Sequence, residues 1–258
     1  YQFEPIFGEK EKNIERVLLK IEASDADLIV LPEFFATGYQ FISADEVGQL
    51  SEAIPGGYTA KMLSEISRSK GIFIVAGLPE VAVGEFYNSA IITGPEGYIG
   101  VYRKTHLFFE EKLWFKPGDT GFRVFDTKIG KIGIMICFDW FFPEAMRTLA
   151  LLGAEIIAHP ANLVLPHCPS AMPIRCLENK VYAITANRTG MEKRKDGQSL
   201  TFIGTSQIVK PDGTVCARAD EKSDSLMVEN IDPEKAKNKS INELNDLFDD
   251  RRPEMYRL

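Results

Sequence analysis

The chain predicts an α/β fold whose sheets are mixed rather than purely parallel. Three observations carry this. Amphipathic helical stripes alternate with short apolar runs from end to end. Three pairs of such runs are joined by tight turns. At 258 residues with 45% hydrophobic side chains, the chain can bury one large core or two small ones.

In chain order, Ile14, Val17, Leu18 and Ile21 recur at helical spacing and predict a helix from Lys10 to Ala23. Leu28-Ile29-Val30-Leu31 is a continuous apolar run stopped by Pro32, the form of a central strand covered on both faces. Thr59 to Lys70 reads as a second helix, closed by Gly71. Ser89 to Thr93 and Tyr98 to Arg103 flank Gly94-Pro95-Glu96-Gly97, and Ser206 to Lys210 and Val215 to Arg218 flank Pro211-Asp212-Gly213. Phe122 to Asp126 and Lys131 to Ile136 form a third pair around Lys128-Ile129-Gly130, so all three pairs read as antiparallel hairpins. Pro143 stands as the first residue of a helix with the stripe Met146, Leu149 and Leu152, stopped by Gly153.

The polar tract Glu192 to Gln198 reads as a surface loop, and no linker divides the chain. Near the C-terminus Ile241, Leu244, Leu247 and Phe248 make a helical stripe. Docking of that tail on a partner subunit and packing on its own domain are both open. Ala26 to Pro32 echoes Ala154 to Pro160, and the Pro95 hairpin echoes the Pro211 hairpin in the same order. Pseudo-symmetric halves and chance both account for the echoes.

The 30 basic and 37 acidic side chains leave a charge of −7, with no basic block beyond Lys193-Arg194-Lys195. That gives no footprint for nucleic acid or an anionic membrane, and points to a small molecule or another protein as partner. No apolar stretch reaches the roughly 18–20 residues of a membrane span. No signal peptide is read, although the abrupt start at Tyr1 leaves room for a few more residues of an opening strand. Cys137, Cys168, Cys176 and Cys216 show no C-x-x-C spacing, which suits a reducing compartment and a cytoplasmic location.

Cys137 ends the apolar strand Ile132-Gly133-Ile134-Met135-Ile136, and the chain runs through Phe138-Asp139-Trp140-Phe141-Phe142 into the Pro143 helix. A strand-to-helix turn can lift a nucleophile from the sheet edge and offer backbone N–H groups to an oxyanion; a buried packing cysteine is the other reading. Glu33 follows the Leu28 strand in Leu31-Pro32-Glu33-Phe34-Phe35, where lost hydration would raise its pKa toward that of a useful base. Lys104 follows the strand Tyr98 to Arg103 and could hold a negative oxygen. An ordinary loop glutamate and a solvated lysine are the alternatives.

Taken together, Leu31-Pro32-Glu33-Phe34, Tyr102-Arg103-Lys104-Thr105-His106-Leu107 and the Ile134 to Glu144 segment around Cys137 resemble the carbon–nitrogen hydrolase (nitrilase) superfamily in order and over nearly the full chain. Phe115 to Asp119, His159 to Asn162, Arg175 to Asn179 and Arg252 to Tyr256 also sit where that family has comparable elements. The resemblance implies a single domain over 1–258, built as a four-layer α-β-β-α sandwich. Cys137 is implied as the attacking thiol, Glu33 as base and then acid, and Lys104 with the N–H of Phe138 as the oxyanion contacts. Glu111, seven positions after Lys104, is implied as the second glutamate. Phe138, Asp139, Trp140 and Asn162 are expected to contact the substrate, a small amide, nitrile or N-carbamoyl amine. No metal and no cofactor are implied. A homodimer or higher homo-oligomer is implied, formed through Pro143 to Leu152 and Met172 to Tyr182, with the tail at about 238–258 reaching the partner.

Three rivals remain from the residues alone. Cys137 could pair with His159 or His106, with Asn162 as orienter; a metal could sit among His159, His167, Cys168 and Cys176, though without metal-ligand spacing; or the scaffold could bind a small molecule without turning it over. The aromatic residues crowding the three motifs, from Phe34 to Phe142, predict a narrow apolar pocket. Arg175 is the one arginine that could meet a carboxylate-bearing substrate.

Overall fold

The computed structural model describes residues 1–195 and 197–256. Helix α1 (Lys10–Glu22) leads to β1 (Leu28–Val30), followed by α2 (Ala44–Leu50), α3 (Tyr58–Lys70), β2 (Phe73–Ala82), β3 (Glu85–Gly94) and β4 (Gly97–Arg103). A short α4 (Glu111–Trp114) precedes β5 (Val124–Thr127), β6 (Gly130–Ile134), α5 (Pro143–Leu151), β7 (Ile156–Pro160), α6 (Cys168–Asn179) and β8 (Tyr182–Ala186). Strands β9 (Met191–Lys195), β10 (Gln198–Thr201), β11 (Gln207–Val209) and β12 (Val215–Arg218) complete the set.

One sheet has the order β1-β2-β3-β4 and the other β12-β11-β8-β7-β6-β5. Side-chain alternation along each strand builds the layers. On β1 and β2, Ile29, Ile74, Ala76 and Leu78 face Ile14, Val17, Ile21 and Leu63 of α1 and α3. Val30, Val75, Ala90, Ile92 and Tyr102 turn the other way and share a core with Ile132, Ile134, Ile156 and Ala158 of the second sheet. That sheet is covered outside by Met146, Leu149, Met172 and Cys176 of α5 and α6. Gly133 keeps β6 close to this helix layer, since a side chain there would meet Ala154, Ile157 and Leu149. The result is an α-β-β-α sandwich with mixed sheets.

The echoes in the sequence mark a repeated topology. β1 pairs parallel with β2, and β2, β3 and β4 pair antiparallel in turn. β7 pairs parallel with β8, and β8, β11 and β12 pair antiparallel in turn. The connection from β1 to β2 includes α3 and that from β7 to β8 includes α6, so each half is one β-α-β-β-β unit. Ala26 to Pro32 and Ala154 to Pro160 enter equivalent first strands.

Two local expectations are corrected. Within Glu192 to Gln198, apart from Asp196, which lies outside the described residues, the chain forms the β9–β10 hairpin rather than a loop. The stripe Ile241 to Phe248 is not helical. Asn242 Oδ1 accepts from the N–H groups of Leu244 and Asn245, and Asp246 Oδ1 accepts from those of Phe248 and Asp249. Such turns compete directly with helical hydrogen bonds. Phe248 lies under Arg147 and Lys239, whereas Ile241 and Leu244 are exposed. Of the expected tail, residues 257 and 258 lie outside the described residues.

Candidate active site

Both sheets deliver residues to one place. Glu33 follows β1 and Lys104 follows β4 on the four-stranded sheet; Cys137 follows β6 on the six-stranded one. Glu33 and Lys104 are fully buried, and Glu111 and Cys137 nearly so. Lys104 Nζ donates to Glu33 Oε1 at 2.7 Å and to Glu111 Oε1 and Oε2 at 2.8 and 2.9 Å. Asn88 on β3 donates from Nδ2 to Glu33 Oε1 at 2.6 Å. The hydroxyl of Tyr39 donates to Glu111 Oε1 at 2.7 Å, and the backbone N–H of Phe108 donates to Glu111 Oε2 at 3.2 Å. One oxygen of Glu33 is therefore doubly held. The other, Oε2, is buried and has no partner among the described residues.

The backbone around these groups is unusual. Cys137 adopts φ 41° and Phe34, next to Glu33, adopts φ 50°, both in the left-handed region that L side chains rarely occupy. The turn that carries Cys137 is braced by Asp139. Its Oδ2 accepts from the N–H of Ile136 at 2.9 Å and from the hydroxyl of Tyr102 at 2.8 Å. Its Oδ1 accepts from the N–H of His106 at 3.1 Å and lies 2.8 Å from His106 Nδ1. Asp139 is fully buried, with both oxygens bonded within the chain.

His159, fully buried on β7, approaches the carbonyl oxygen of Cys137 through Nε2 at 3.0 Å and the hydroxyl of Thr185 through Nδ1 at 3.0 Å. Burial lowers its pKa to about 4, so the ring is neutral at pH 7. Since a carbonyl can only accept, Nε2 carries the hydrogen and Nδ1 accepts from Thr185. Both histidines of the cysteine–histidine alternative are thus engaged elsewhere, His159 on the backbone of Cys137 and His106 on Asp139.

Electrostatics follow from burial. Burial pushes the Cys137 thiol well above its ordinary range and the charge of Glu33 adds to this, while Lys104 and the backbone N–H of Asn162 oppose it. Burial also raises Glu33, against the pull of Lys104. For Lys104 burial disfavours the ammonium, but Glu111 and Glu33 outweigh it and the net shift is upward. The arrangement is a buried neutral thiol beside a carboxylate of raised basicity and a permanent cation.

A narrow space opens beside the thiol, lined by Phe108, Phe138, Trp140, Phe141, Asn162 and Val164. Tyr39, Glu111, Trp114 and Phe115 line an adjoining recess. Phe34 and Phe35 pack in the core instead. Arg175 pairs with Glu178 on α6 and is not among the residues lining either space. A surface cleft of about 660 Å³ lies at the opposite strand ends, along Asp25 to Val30 and Leu226 to Glu229. Tyr39 and Asn88 are the residues of the cluster that the motifs did not announce. Asn88 carried no signal of its own, since its strand also holds the polar residues Glu85, Ser89 and Thr93.

The comparisons with known proteins define the class of protein, a hydrolytic enzyme. The chain belongs to the carbon–nitrogen hydrolase family, whose model matches residues 1–239. It is 50% identical over 258 residues to a nitrilase from Pyrococcus abyssi, covering 99% of this chain and 97% of that one. It is 34% identical over 264 aligned positions to an N-carbamoylputrescine amidase from Arabidopsis thaliana, covering 95% and 87%. Among solved structures, a carbon–nitrogen hydrolase from Helicobacter pylori G27 matches with a TM-score of 0.82 at 28% identity, covering 92% and 89%. No helix among the described residues is long and apolar enough to cross a membrane.

Proposed function

We propose that the protein hydrolyses a small amide, nitrile or N-carbamoyl amine through a covalent intermediate on Cys137. The supporting observation is the split character of Glu33: Oε1 is held by Lys104 and Asn88, while Oε2 is buried and without a partner among the described residues. In this reading Oε2 takes the thiol proton as sulfur attacks the carbonyl carbon. Lys104 and the N–H of Phe138 bear the developing negative oxygen, and Glu111 fixes Lys104. Glu33 returns the proton to the leaving nitrogen, and ammonia or an amine departs. A water then gives its proton to Glu33 and its oxygen to the acyl carbon, the acid leaves, and the sulfur is reprotonated. A nitrile would instead give a thioimidate, its nitrogen taking the thiol proton; one water adds to that carbon and ammonia leaves to form the same acyl-enzyme, which a second water hydrolyses.

Phe138 and Trp140 would shape the pocket around a short acyl group, and the relatives' names favour neither amide nor nitrile. The test is ammonia release from a panel of short amides, nitriles and N-carbamoyl amines, with selective alkylation of Cys137 by iodoacetamide and a trapped acyl adduct on the same residue. Labelling that favours Cys168 or Cys216 would refute the assignment.

The reading extends to assembly. Leu151 and Leu152 around the end of α5 and Ile174 and Leu177 on α6 are exposed apolar residues on two helices that pack together. They would be covered in a homodimer, with the tail from about 238 reaching the partner and 1–258 acting as one domain. Light scattering at micromolar concentration should give at least a dimer; a monomer would refute it. Four free cysteines fit a cytoplasmic setting.

A further inference from the structure

The space beside Cys137 is walled by Phe108, Trp140, Phe141, Leu163 and Val164, and the polar side chain among them is Asn162. Its amide is anomalous. Asn162 is only 3% exposed, yet both Nδ2 and Oδ1 lack a partner among the described residues. Asn187, at the neighbouring strand end, behaves in the ordinary way: its Oδ1 accepts from the N–H of Leu163 at 2.8 Å and its Nδ2 donates to the carbonyl of Gly204 at 2.6 Å. An unpaired buried polar group costs about 1–3 kcal/mol, and here a donor and an acceptor are left unpaired on one side chain. Cys137 lines the same space, so the unpartnered amide shares this cavity with the reacting residue.

Charge is absent from the rest of that wall. Glu33, Lys104 and Glu111 are bonded to one another, Glu110 at the outer recess pairs with Lys195 at 2.6 Å, and Arg175 pairs with Glu178. A charged acyl chain would lose its hydration there without a counterion.

We propose that Asn162 determines specificity by hydrogen-bonding a second, uncharged polar group on the acyl part of the substrate, so that short neutral acyl groups carrying a hydroxyl, amide or similar function are preferred. This rests on the hydrolase reading of the same site. A hydroxyl both donates and accepts, and so can satisfy either atom of the amide; a methyl of the same size satisfies neither. An ammonium would take the acceptor but leave its charge unpaired.

Glycolamide, propionamide and glycinamide differ only in hydroxyl, methyl or ammonium at one position, and they and their one-methylene-longer homologues make the test. Wild-type kcat/KM should favour the hydroxyl compound over the methyl one by about tenfold or more, the size of one buried hydrogen bond, with the difference in KM. Asn162→Leu should erase the preference, lowering kcat/KM for the hydroxyl compound about tenfold relative to the methyl compound. Asn162→Asp, nearly isosteric, should still accept from the hydroxyl but gain on the ammonium compound relative to both others, and it carries the test if the leucine variant does not fold. Equal loss on all three compounds, or a wild type that does not distinguish hydroxyl from methyl at either chain length, would overturn the inference while leaving the hydrolase reading standing. A wild type inactive on every amide and nitrile of the wider panel would instead overturn that reading, and this inference with it.

Discussion

His159 holds Cys137 by its backbone: the ring donates from Nε2 to the carbonyl oxygen of Cys137 at 3.0 Å, while Thr185 fixes the opposite nitrogen. The bond sits on the residue with φ 41°, so a neutral imidazole helps to retain a conformation that the chain would otherwise leave.

Burial of this ring makes stability pH-dependent in a defined direction, against the smaller opposing pull of its bond to Cys137. Burial depresses the histidine from 6.5 to about 4, so between those values the unfolded chain binds the proton and the folded chain does not. The contribution is intact above pH 6.5, erodes as the pH falls, and is exhausted near pH 4, amounting to about 3 kcal/mol in all. Denaturant unfolding of the wild type and His159→Gln across this window should show the wild-type advantage shrinking on acidification. A difference independent of pH would contradict the assignment.

Glu33 gives a kinetic counterpart. As the proposed base it must be ionised, and burial raises it above its ordinary 4.5. The acidic limb of kcat/KM should therefore lie above pH 4.5. Glu33→Gln should lower kcat by about 10²–10⁴-fold with the fold retained, and Cys137→Ala should abolish turnover. An acidic limb below the ordinary carboxylate range would remove Glu33 from that role.

Gly77 on β2 is the contact on which Glu33 rests. A Cβ there would lie 2.5 Å from Glu33 Cα and 3.0 Å from the nitrogen of Phe34, both backbone atoms that cannot swing aside. Gly77→Ala should destabilise the protein by about 1–3 kcal/mol and reduce kcat more than it raises KM. Thermal melts and steady-state rates together measure both effects. Wild-type kcat in a folded Gly77→Ala protein would show that the position of Glu33 tolerates displacement.

Glu192 is the anchor of the loop after Glu33. It pairs with buried Arg188 and accepts from the N–H groups of Tyr39 and Gln40, at 3.1 and 2.6 Å to Oε2. Glu192→Ala strands the Arg188 guanidinium without its partner and should cost about 3–5 kcal/mol. It should also loosen the hold of Tyr39 on Glu111. Equilibrium unfolding checks the first effect; a variant as stable as the wild type would mean that the buried pair contributes nothing.

Glu33, Lys104 and Cys137 could be read from the sequence because each follows an apolar run that needs no distant partner to be recognised. Glu111 came only through the resemblance. Tyr39 and Asn88 could not be read as members of the site because their meaning lies in contacts with Glu111, 72 and 23 positions away. Met191 to Lys195 has no apolar face, so its strand character was invisible; the hairpin is anchored through Glu192, about 150 positions from the loop it binds. The tail stripe misled for the opposite reason. Its spacing was helical, but Asn242 and Asp246 redirect the backbone into turns. The echo between halves, ambiguous as sequence, became decisive once strand directions were known.

Because Glu33 and Lys104 hang from one sheet and Cys137 from the other, the proposed reactive centre exists only while the two sheets are in register. A partly melted state could keep most of its helices and strands and still carry no competent thiol. Loss of turnover should thus precede loss of secondary structure on denaturation, making the rate of hydrolysis a gauge of how the two halves of the sandwich are aligned.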